Sequence, residues 1–595
     1  MPDPQAQFKE AIEHLNAGRN AEGHALLDAL HREHPDNDQV RFALGKLAIE
    51  RAEFNRALEL LEPLADRNEY VSSAGTLIVH ALGLSGRVEE SRTRAHEFLA
   101  KRPTDLQLTL YASAACSNAQ DYEGADRVLD AYLKSNPNPD VAAARSSVLI
   151  NCGRCDEAVD LLRSALKQFP DNINCLVSLA NAMNYVSDSR EESFARHHEF
   201  GRRLESSRPV IDPLSYTNPP DPDRPLRIAI LSADMRAHSV SYFIEAFLRH
   251  HDHSRFHITV FSTSATEDAV TRRLRGFVDD WQQNISGSPR LLAREVWRAK
   301  PDVVIELGGL TGNSPVDALV PQVAPVQITA IGYPNTTGLR TIQYRIVDSL
   351  TDPPGVADAY ATERLVRLDP CFLCFTPRVA VKAGRADDVE HVVFGSFNKI
   401  GKYSDACLRV WSLILQRVPQ SRLLLKSPAI DAVAPRQALT DRLRAVGAPM
   451  DRVELVGKQI EESDHMAMYN RIDIAVDPFP YNGTTTTCEA LMMGVPVIAL
   501  EGATHASRVG LSLLTAAGFP ELVARSAEQY VEIASRCAAQ IQSLRSMRED
   551  RSQRMLTSTL CDGAAYAARW ENAIRLMWKQ WCERKMSQSS PSARR

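Results

Sequence analysis

From residue 226 onward the chain alternates short, almost wholly apolar runs with longer segments of mixed character. The runs at 226–231, 256–261, 302–305, 326–331 and 344–347 read as strands buried on both faces, because alternation with polar positions is missing. A hinge-like stretch at 377–388 interrupts the pattern, and it resumes at 392–394, 423–425, 453–455, 472–476 and 495–500. Strands separated by helical segments predict parallel, doubly wound sheets, here two of them. Two such lobes facing each other would hold a ligand in the cleft at the carboxyl ends of their strands. Helical periodicity shows in Leu408, Trp411, Leu415 and Val418, behind a start at Ser404-Asp405. It shows again in Tyr566, Trp570, Ile574, Met577 and Trp581, an apolar stripe that predicts docking onto the two-sheet region.

The first 170 residues follow a longer period. Pro35, Pro103, Pro137 and Pro170 are separated by 68, 34 and 33 residues, and Gly23, Ala57, Ser91, Ala125 and Ala158 keep the same step. A period of 34 is that of tetratricopeptide helix pairs. Gly18-Arg19, Gly86-Arg87 and Gly153-Arg154 mark turns between paired helices, the small residues let those helices approach, and each proline ends a second helix. About five repeats fit, and such an array usually presents a concave surface to peptide or protein. Between 181 and 222 a charged helical stretch is followed by Pro209, Pro213, Pro219, Pro220 and Pro222, which reads as a linker after a last helical layer.

Composition narrows the partners. The 595 residues, 44% hydrophobic and 24% charged, describe a soluble globular protein of three or four domains. A net charge of −5 offers no basic field, so nucleic acid is not an expected partner. No apolar run reaches the ~20 residues of a membrane span, and the start Met1-Pro2-Asp3-Pro4 does not read as a signal peptide, which predicts a cytoplasmic protein. Eleven scattered cysteines fit reduced thiols. The pairs Cys152/Cys155 and Cys371/Cys374 lack a nearby second pair, so no zinc or redox role is expected, and His250, His251 and His253 read as a solvated loop.

The chemistry concentrates in the second lobe. In 477–489 (Asp-Pro-Phe-Pro-Tyr-Asn-Gly-Thr-Thr-Thr-Thr-Cys-Glu) a buried strand gives way to a helix start rich in hydroxyls and backbone N–H groups. Such a start attracts an anion, because its N–H groups are unpaired and the helix dipole is positive there. An ordinary Thr-capped junction would look the same. Lys402 follows another strand end, at Phe397-Asn398, and stands just before a helix where an ammonium can face a diphosphate.

These segments, together with the repeats, Ser232-Ala-Asp-Met-Arg-Ala-His238-Ser-Val240, Ala324-Pro-Val-Gln327, Gly332-Tyr333-Pro334-Asn335-Thr336-Thr337-Gly338 and His505-Ala-Ser-Arg508-Val-Gly510, resemble the O-GlcNAc transferase/SPINDLY family of protein O-glycosyltransferases over nearly the whole chain. The resemblance implies a tetratricopeptide α-solenoid followed by a two-lobed GT-B, double Rossmann-like glycosyltransferase. It implies repeats over 1–170, a helical and proline-rich linker over 171–222, an acceptor-side lobe over 223–380 and a nucleotide-sugar lobe over 381–560. A terminal helix over 561–583 and a disordered tail over 584–595 complete the chain. Transfer would be inverting and metal-independent, with no cofactor beyond the nucleotide-sugar donor. Lys402 would neutralise the leaving diphosphate, and His238 would act near the acceptor as base or as a positioning group. Asn398, Thr484, Thr485, Thr486, Glu489, His505 and Arg508 would form the nucleotide-sugar site, Glu489 standing where the family usually has Asp. The sugar and acceptor region would include Leu310, Tyr333, Pro334 and Thr336. Leu310 replaces a histidine of the family's cleft and Asn335 a glycine.

UDP-GlcNAc is the donor the family implies, and the captured protein the acceptor. The altered sugar region opens a second reading, a flagellin glycosyltransferase using a nonulosonic acid carried on CMP. A non-catalytic repeat adaptor and a nucleotide-sugar epimerase are the readings from other classes.

Overall fold

In the computed structural model of the protein, residues 3–17, 19–207, 216–264, 266–283, 288–378, 382–384, 391–459 and 461–589 are described. The chain divides into two compact units, Met1–Val148 and Leu149–Arg595. In the first, α1 (Pro4–Asn16) pairs with α2 (Asn20–Glu33), α3 (Asp38–Glu50) with α4 (Phe54–Leu61), α5 (Val71–Leu84) with α6 (Val88–Lys101), and α7 (Leu106–Asn118) with α8 (Tyr122–Ser135). Helix α9 (Pro139–Asn151) crosses the division, and the second unit continues with α10 (Cys155–Gln168), α11 (Ile173–Val186) and α12 (Arg190–Ser206).

The 34-residue punctuation has a local cause. A proline stops each second helix, and an Asx side chain one or two residues later caps the next: Asn37, Asp105, Asn138 and Asn172 each accept from backbone N–H groups of the following first turn. The proline missing from the second repeat stands at Pro63, and α4 ends after eight residues in a 3-10 turn over Glu62–Leu64. Side chains at the small positions would collide. A Cβ on Gly23 would lie 2.7 Å from Leu15, and Ala57, Ala125 and Ala158 are fully buried.

The stretch read as a linker contains α11 and α12, and its Pro209 and Pro213 lie outside the described residues. Leu176, Ala180, Phe200 and Leu204 of this helix pair share one apolar core with Leu231, Val304 and Leu339 of the first lobe.

That lobe is a seven-stranded parallel sheet, β1 (Leu226–Ser232), β2 (Phe256–Ser262), β3 (Asp280–Gln282), β4 (Val303–Glu306), β5 (Val326–Thr329), β6 (Tyr344–Val347) and β7 (Arg364–Arg367), in the order β3-β2-β1-β4-β5-β6-β7. Helices α13 (Ser239–His250), α14 (Ala269–Arg275) and α15 (Pro289–Ala299) belong to it. The second lobe is a six-stranded parallel sheet, β8 (Val393–Ser396), β9 (Arg422–Lys426), β10 (Val453–Val456), β11 (Ile474–Val476), β12 (Val497–Leu500) and β13 (Val523–Ala524), in the order β10-β9-β8-β11-β12-β13. Its helices are α16 (Asp405–Arg417), α17 (Val433–Ala445), α18 (Glu462–Ala467), α19 (Thr485–Met492), α20 (Val509–Ala516), α21 (Ala527–Ala539), α22 (Ile541–Ser546) and α23 (Arg548–Leu556). A helical solenoid followed by two parallel sheets is the expected α plus GT-B architecture.

Strand order reverses between β1 and β4 in one lobe and between β8 and β11 in the other. Loops leaving those strands at their carboxyl ends diverge, and the crevice between them is where a doubly wound sheet receives its ligand. The last helix, α24 (Gly563–Ser589), returns from the second lobe to pack on α13 of the first. Trp570 stacks on Phe247 at 5.3 Å, Tyr566 donates to the Phe372 carbonyl (2.8 Å) and the Trp578 indole to that of Asp221 (2.8 Å). The helix runs through Ser589, so 584–589 is ordered helix where a disordered tail was expected; the Ser- and Arg-rich end beyond it lies outside the described residues. The same is true of 379–381 and 385–390 in the hinge-like stretch.

Candidate active site

The switch point of the second lobe gathers Lys402, Asn398, Thr484, Thr485 and Thr486, the residues expected at the nucleotide end. After β8 the chain passes Phe397-Asn398 and makes a 3-10 turn, Ile400–Lys402, before Ser404 caps α16. After β11 it passes Asp477 and reaches the threonines that open α19. The two loops are sewn together: Lys402 Nζ donates to the Asn482 carbonyl (2.7 Å), Ser404 Oγ to that of Phe479 (2.6 Å), and Thr486 Oγ1 to Asn398 Oδ1 (3.0 Å). The Lys402 ammonium also lies 3.9 Å from the Tyr481 ring centroid.

Asp477 shapes the second loop from below. It is buried, and its carboxylate accepts from Gly483 N (3.0 and 3.1 Å) and Thr487 Oγ1 (3.2 Å). A Cβ at Gly483 would come within 2.5 Å of Asp477 Oδ1, so this turn requires glycine. Burial pushes the Asp477 carboxyl above its ordinary range and the Lys402 ammonium below its own, and each charge opposes the other's shift.

Helix α19 begins without a side-chain cap at Thr484. The hydroxyl of Thr485, buried beside it, has no hydrogen-bond partner among the described residues. An unpaired buried hydroxyl costs about 1–3 kcal/mol. Here it stands with the open N–H groups of a first turn and a cation on the facing loop, which is the donor set a diphosphate uses.

Glu489, one turn along α19, accepts from Tyr469 OH (2.9 Å) and His465 Nε2 (3.0 Å). His465 Nδ1 in turn accepts from Lys426 Nζ (2.6 Å), whose ammonium burial pushes down to about 8. Asp477, Lys426, His465 and Tyr469 were not picked out as site residues from the sequence. Lys426 ends a strand of this sheet and could have been found by that position; His465 offered no signal.

In the first lobe, His238 caps α13. Its Nδ1 accepts from Val240 N (3.3 Å) and lies 3.6 Å from Asp234 Oδ2. With Nδ1 accepting, a neutral ring carries its proton on Nε2. Burial lowers its pKa. The positive charge of Lys399 lowers both His238 and Lys402, which ties the two sides of the cleft electrostatically.

Other expected site residues do different work. Tyr333 is buried, its OH shared by His197 Nε2 (2.7 Å) and Asn184 Nδ2 (3.1 Å) of the α11–α12 pair, and Asn335 Nδ2 donates to Asn184 (2.9 Å) and Ser193 (2.8 Å). Pro334 is buried with them, Thr336 donates to Glu363, and Gly338 approaches Gly201 so closely that a Cβ on Gly201 would sit 1.9 Å from the Gly338 carbonyl oxygen. This segment forms a junction with the α11–α12 pair. Leu310 is buried in the apolar core with Val316, Leu319 and Tyr333. His505 pairs through Nδ1 with Asp352, and Arg508 donates to the Leu350 carbonyl (2.6 Å) and to Glu501 (2.7 Å). Both join the two lobes, alongside Ser512 on Asp348 and Tyr242 on Glu462.

The described residues contain two clusters of three ligand-type groups, His96/Cys116/Asp121 and His251/His253/Asp279, neither at this crevice. His251 is buried, unlike the solvated loop expected of it; His250 and His253 are exposed. All eleven cysteines are free, and burial pushes Cys155 and Cys371 to about 12, far from thiolate chemistry.

Residues 210–378 and 376–570 match the family described as Glycosyl transferase family 41. The chain is 39% identical over 436 residues to the "Probable UDP-N-acetylglucosamine--peptide N-acetylglucosaminyltransferase SPINDLY" of Arabidopsis thaliana, covering 72% of this chain and 47% of that protein. It is 39% identical over 426 residues to the protein of the same name from Solanum lycopersicum, covering 70% and 45%. The chain therefore spans about half the length of the curated relatives it matches. Among solved structures, a mutant O-GlcNAc transferase of Thermobaculum terrenum superimposes with a TM-score of 0.79 at 30% identity, over 87% of this chain and 99% of that one. Two parallel sheets with a cationic, hydroxyl-lined switch point agree with these matches, and the chain belongs to glycosyl transferase family 41.

Proposed function

We propose that the protein transfers a sugar from a nucleoside diphosphate donor to a Ser or Thr hydroxyl of an acceptor protein. The observation that carries this reading is the pairing, across the β8/β11 switch point, of Lys402 with the uncapped start of α19 and the orphan hydroxyl of Thr485. Charge builds on the diphosphate as the glycosidic bond breaks. A fixed ammonium and oriented N–H and O–H donors stabilise it without reorganising. Thr484, Thr485 and Thr486 supply the helix start, Asn398 orients Thr486, and Glu489, fixed by His465 and Tyr469, faces the nucleoside side. His238 presents Nε2–H, so its role is to position the acceptor or the donor by donating a hydrogen bond.

The helix pairs of the first unit carry a groove of about 750 Å³ bordered by Arg92, His96, Tyr132 and Asn136, suited to an extended peptide of the acceptor. UDP-GlcNAc, the donor in the names of the SPINDLY relatives, is the first to test. The reaction needs no metal in this reading, since Lys402 and α19 supply the positive potential. A cytoplasmic location agrees with eleven free cysteines and with the absence of any described helix long and apolar enough to cross a membrane.

The test is a donor panel of UDP-, GDP- and CMP-linked sugars, incubated with the full chain and a cell extract or purified flagellin and read by intact mass of the acceptor. A mass increment with one donor, lost in Lys402→Met, supports the proposal and names the sugar. Nonulosonate transfer from CMP would move the reading to the flagellin alternative. Nucleotide binding without transfer to any protein would favour an enzyme acting on free donor, and no nucleotide binding an adaptor.

A further inference from the structure

At the end of α13 opposite His238, three histidines converge on one carboxylate. His251 caps the helix, and its side chain is fully buried. Its Nδ1 can only donate to the Leu248 carbonyl (2.8 Å), so the lone pair sits on Nε2. That buried Nε2 has no hydrogen-bond partner among the described residues. It faces Asp279 Oδ2 at 3.9 Å, an arrangement of two acceptors with no proton between them. His257 repeats the geometry: its Nε2–H donates to Asp280 (2.8 Å), which leaves the Nδ1 lone pair facing the same Asp279 oxygen at 3.9 Å. His253 Nδ1 lies 3.1 Å from the other Asp279 oxygen, and its ring stands 4.1 Å from that of His251. The carboxylate is anchored from behind by Ile258 N (2.7 Å).

We propose that His251, His253 and Asp279, with His257 beside them, bind a divalent transition-metal ion of the Zn²⁺ class, which clamps the end of α13 to the β2–β3 edge of the sheet. Two imidazoles and one carboxylate form a three-point N/O donor set whose fourth position a water can take. A hydrogen bond from the remote ring nitrogen, as from His251 to the Leu248 carbonyl, is the device that fixes the tautomer and aim of a metal-bound histidine. Tetrahedral coordination at about 2.0–2.1 Å places donor atoms about 3.3 Å apart, and the donor atoms of His251, His253 and Asp279 all lie within 4.8 Å of one another, so the site closes on an ion by contracting. His253 releases its Nδ1 proton on binding. Exposure of 57% at the His253 side chain and 49% at His257 gives the ion access from solvent. The site is structural, and the transfer chemistry at Lys402 does not run through it.

The test uses the full chain without an affinity tag, stripped with a chelator and desalted, then equilibrated with micromolar free Zn²⁺ and desalted again. Metal content and thermal unfolding are the readouts. One Zn²⁺ per chain and a rise in Tm are expected for the unaltered protein. The double variant His253→Gln/His257→Gln, exposed and so expected to fold, should bind at least tenfold more weakly, while His96→Gln at the other histidine cluster should bind normally. Co²⁺ in place of Zn²⁺ should give the intense visible absorption of a tetrahedral site, and the double variant should abolish it. Retention of no zinc by the unaltered chain, or equal retention by the double variant, would overturn the proposal.

Discussion

Replacing Lys402 with methionine removes one charge from the switch point while keeping most of the side-chain volume. Asp477 stays satisfied by Gly483 and Thr487, so the fold should survive, with circular dichroism unchanged. A charge-assisted hydrogen bond is worth about 1.5–3 kcal/mol, so donor affinity should fall about 10- to 150-fold. The turnover rate should fall further, by about 10²–10³, because the diphosphate carries more charge in the transition state than in the bound donor.

The pH dependence is the sharper signature. Burial pushes Lys402 down to about 7 in the free site, against the opposing pull of Asp477, and a bound diphosphate restores the charge and raises it. A group whose pKa is higher in the bound state contributes affinity that is complete below its free value and lost as pH rises from there, by up to one decade per pH unit. Calorimetric titration with an intact nucleotide sugar, whose diphosphate has no ionisation in this range, should therefore show affinity falling between about pH 7 and 9 in the unaltered protein. Lys402→Met should bind weakly across the range and lose the Lys402 part of that fall, leaving only what the neighbouring Asp477 carboxyl contributes. If the two proteins bind within twofold of each other, or if the unaltered profile is flat, Lys402 does not face the diphosphate.

Thr485→Val exchanges an unpartnered hydroxyl for a methyl group, so stability should stay within about 0.5 kcal/mol while donor affinity drops roughly fivefold; a thermal melt and a binding titration on the same sample test both. Trp570→Ala empties a fully buried site against Phe247 and should cost about 3–5 kcal/mol, read as a lower denaturant midpoint; chains ending before Gly563 should fail to yield folded protein. Asp352→Asn leaves Arg190 and Arg345 without their buried carboxylate and should cost about 3–5 kcal/mol at neutral pH. Although burial opposes it, His505, Arg345 and Arg190 hold the Asp352 carboxyl well below its ordinary range. Its contribution is therefore present above the unfolded value near 4 and lost in acid, so melting curves of the variant and the unaltered chain should converge as pH falls below about 4.

All ten apolar runs became strands, most of them because burial on both faces writes itself into composition; β10, half-exposed throughout, shows that an apolar run can also lie at a sheet edge. The strands that escaped notice are β3, whose residues are half or fully exposed, β7 at the opposite edge, and the two-residue β13, none of which has to be an apolar run. The grouping of Lys402, Asn398 and the threonines was legible for a similar reason: a helix start and a strand end are local features. Tyr333, Thr336, His505 and Arg508 could not be sorted from sequence, because their partners His197, Glu363, Asp352 and Leu350 lie 136, 27, 153 and 158 residues away. A family motif marks a residue that clamps two elements as readily as one that touches substrate. Hydrogen-bonding capacity separates the two. Tyr333 is buried with its hydroxyl paired inside the protein, whereas Thr485 Oγ1 and His251 Nε2 are among the buried polar atoms without a partner in the described residues, a cost of about 1–3 kcal/mol each that a ligand at either position would relieve.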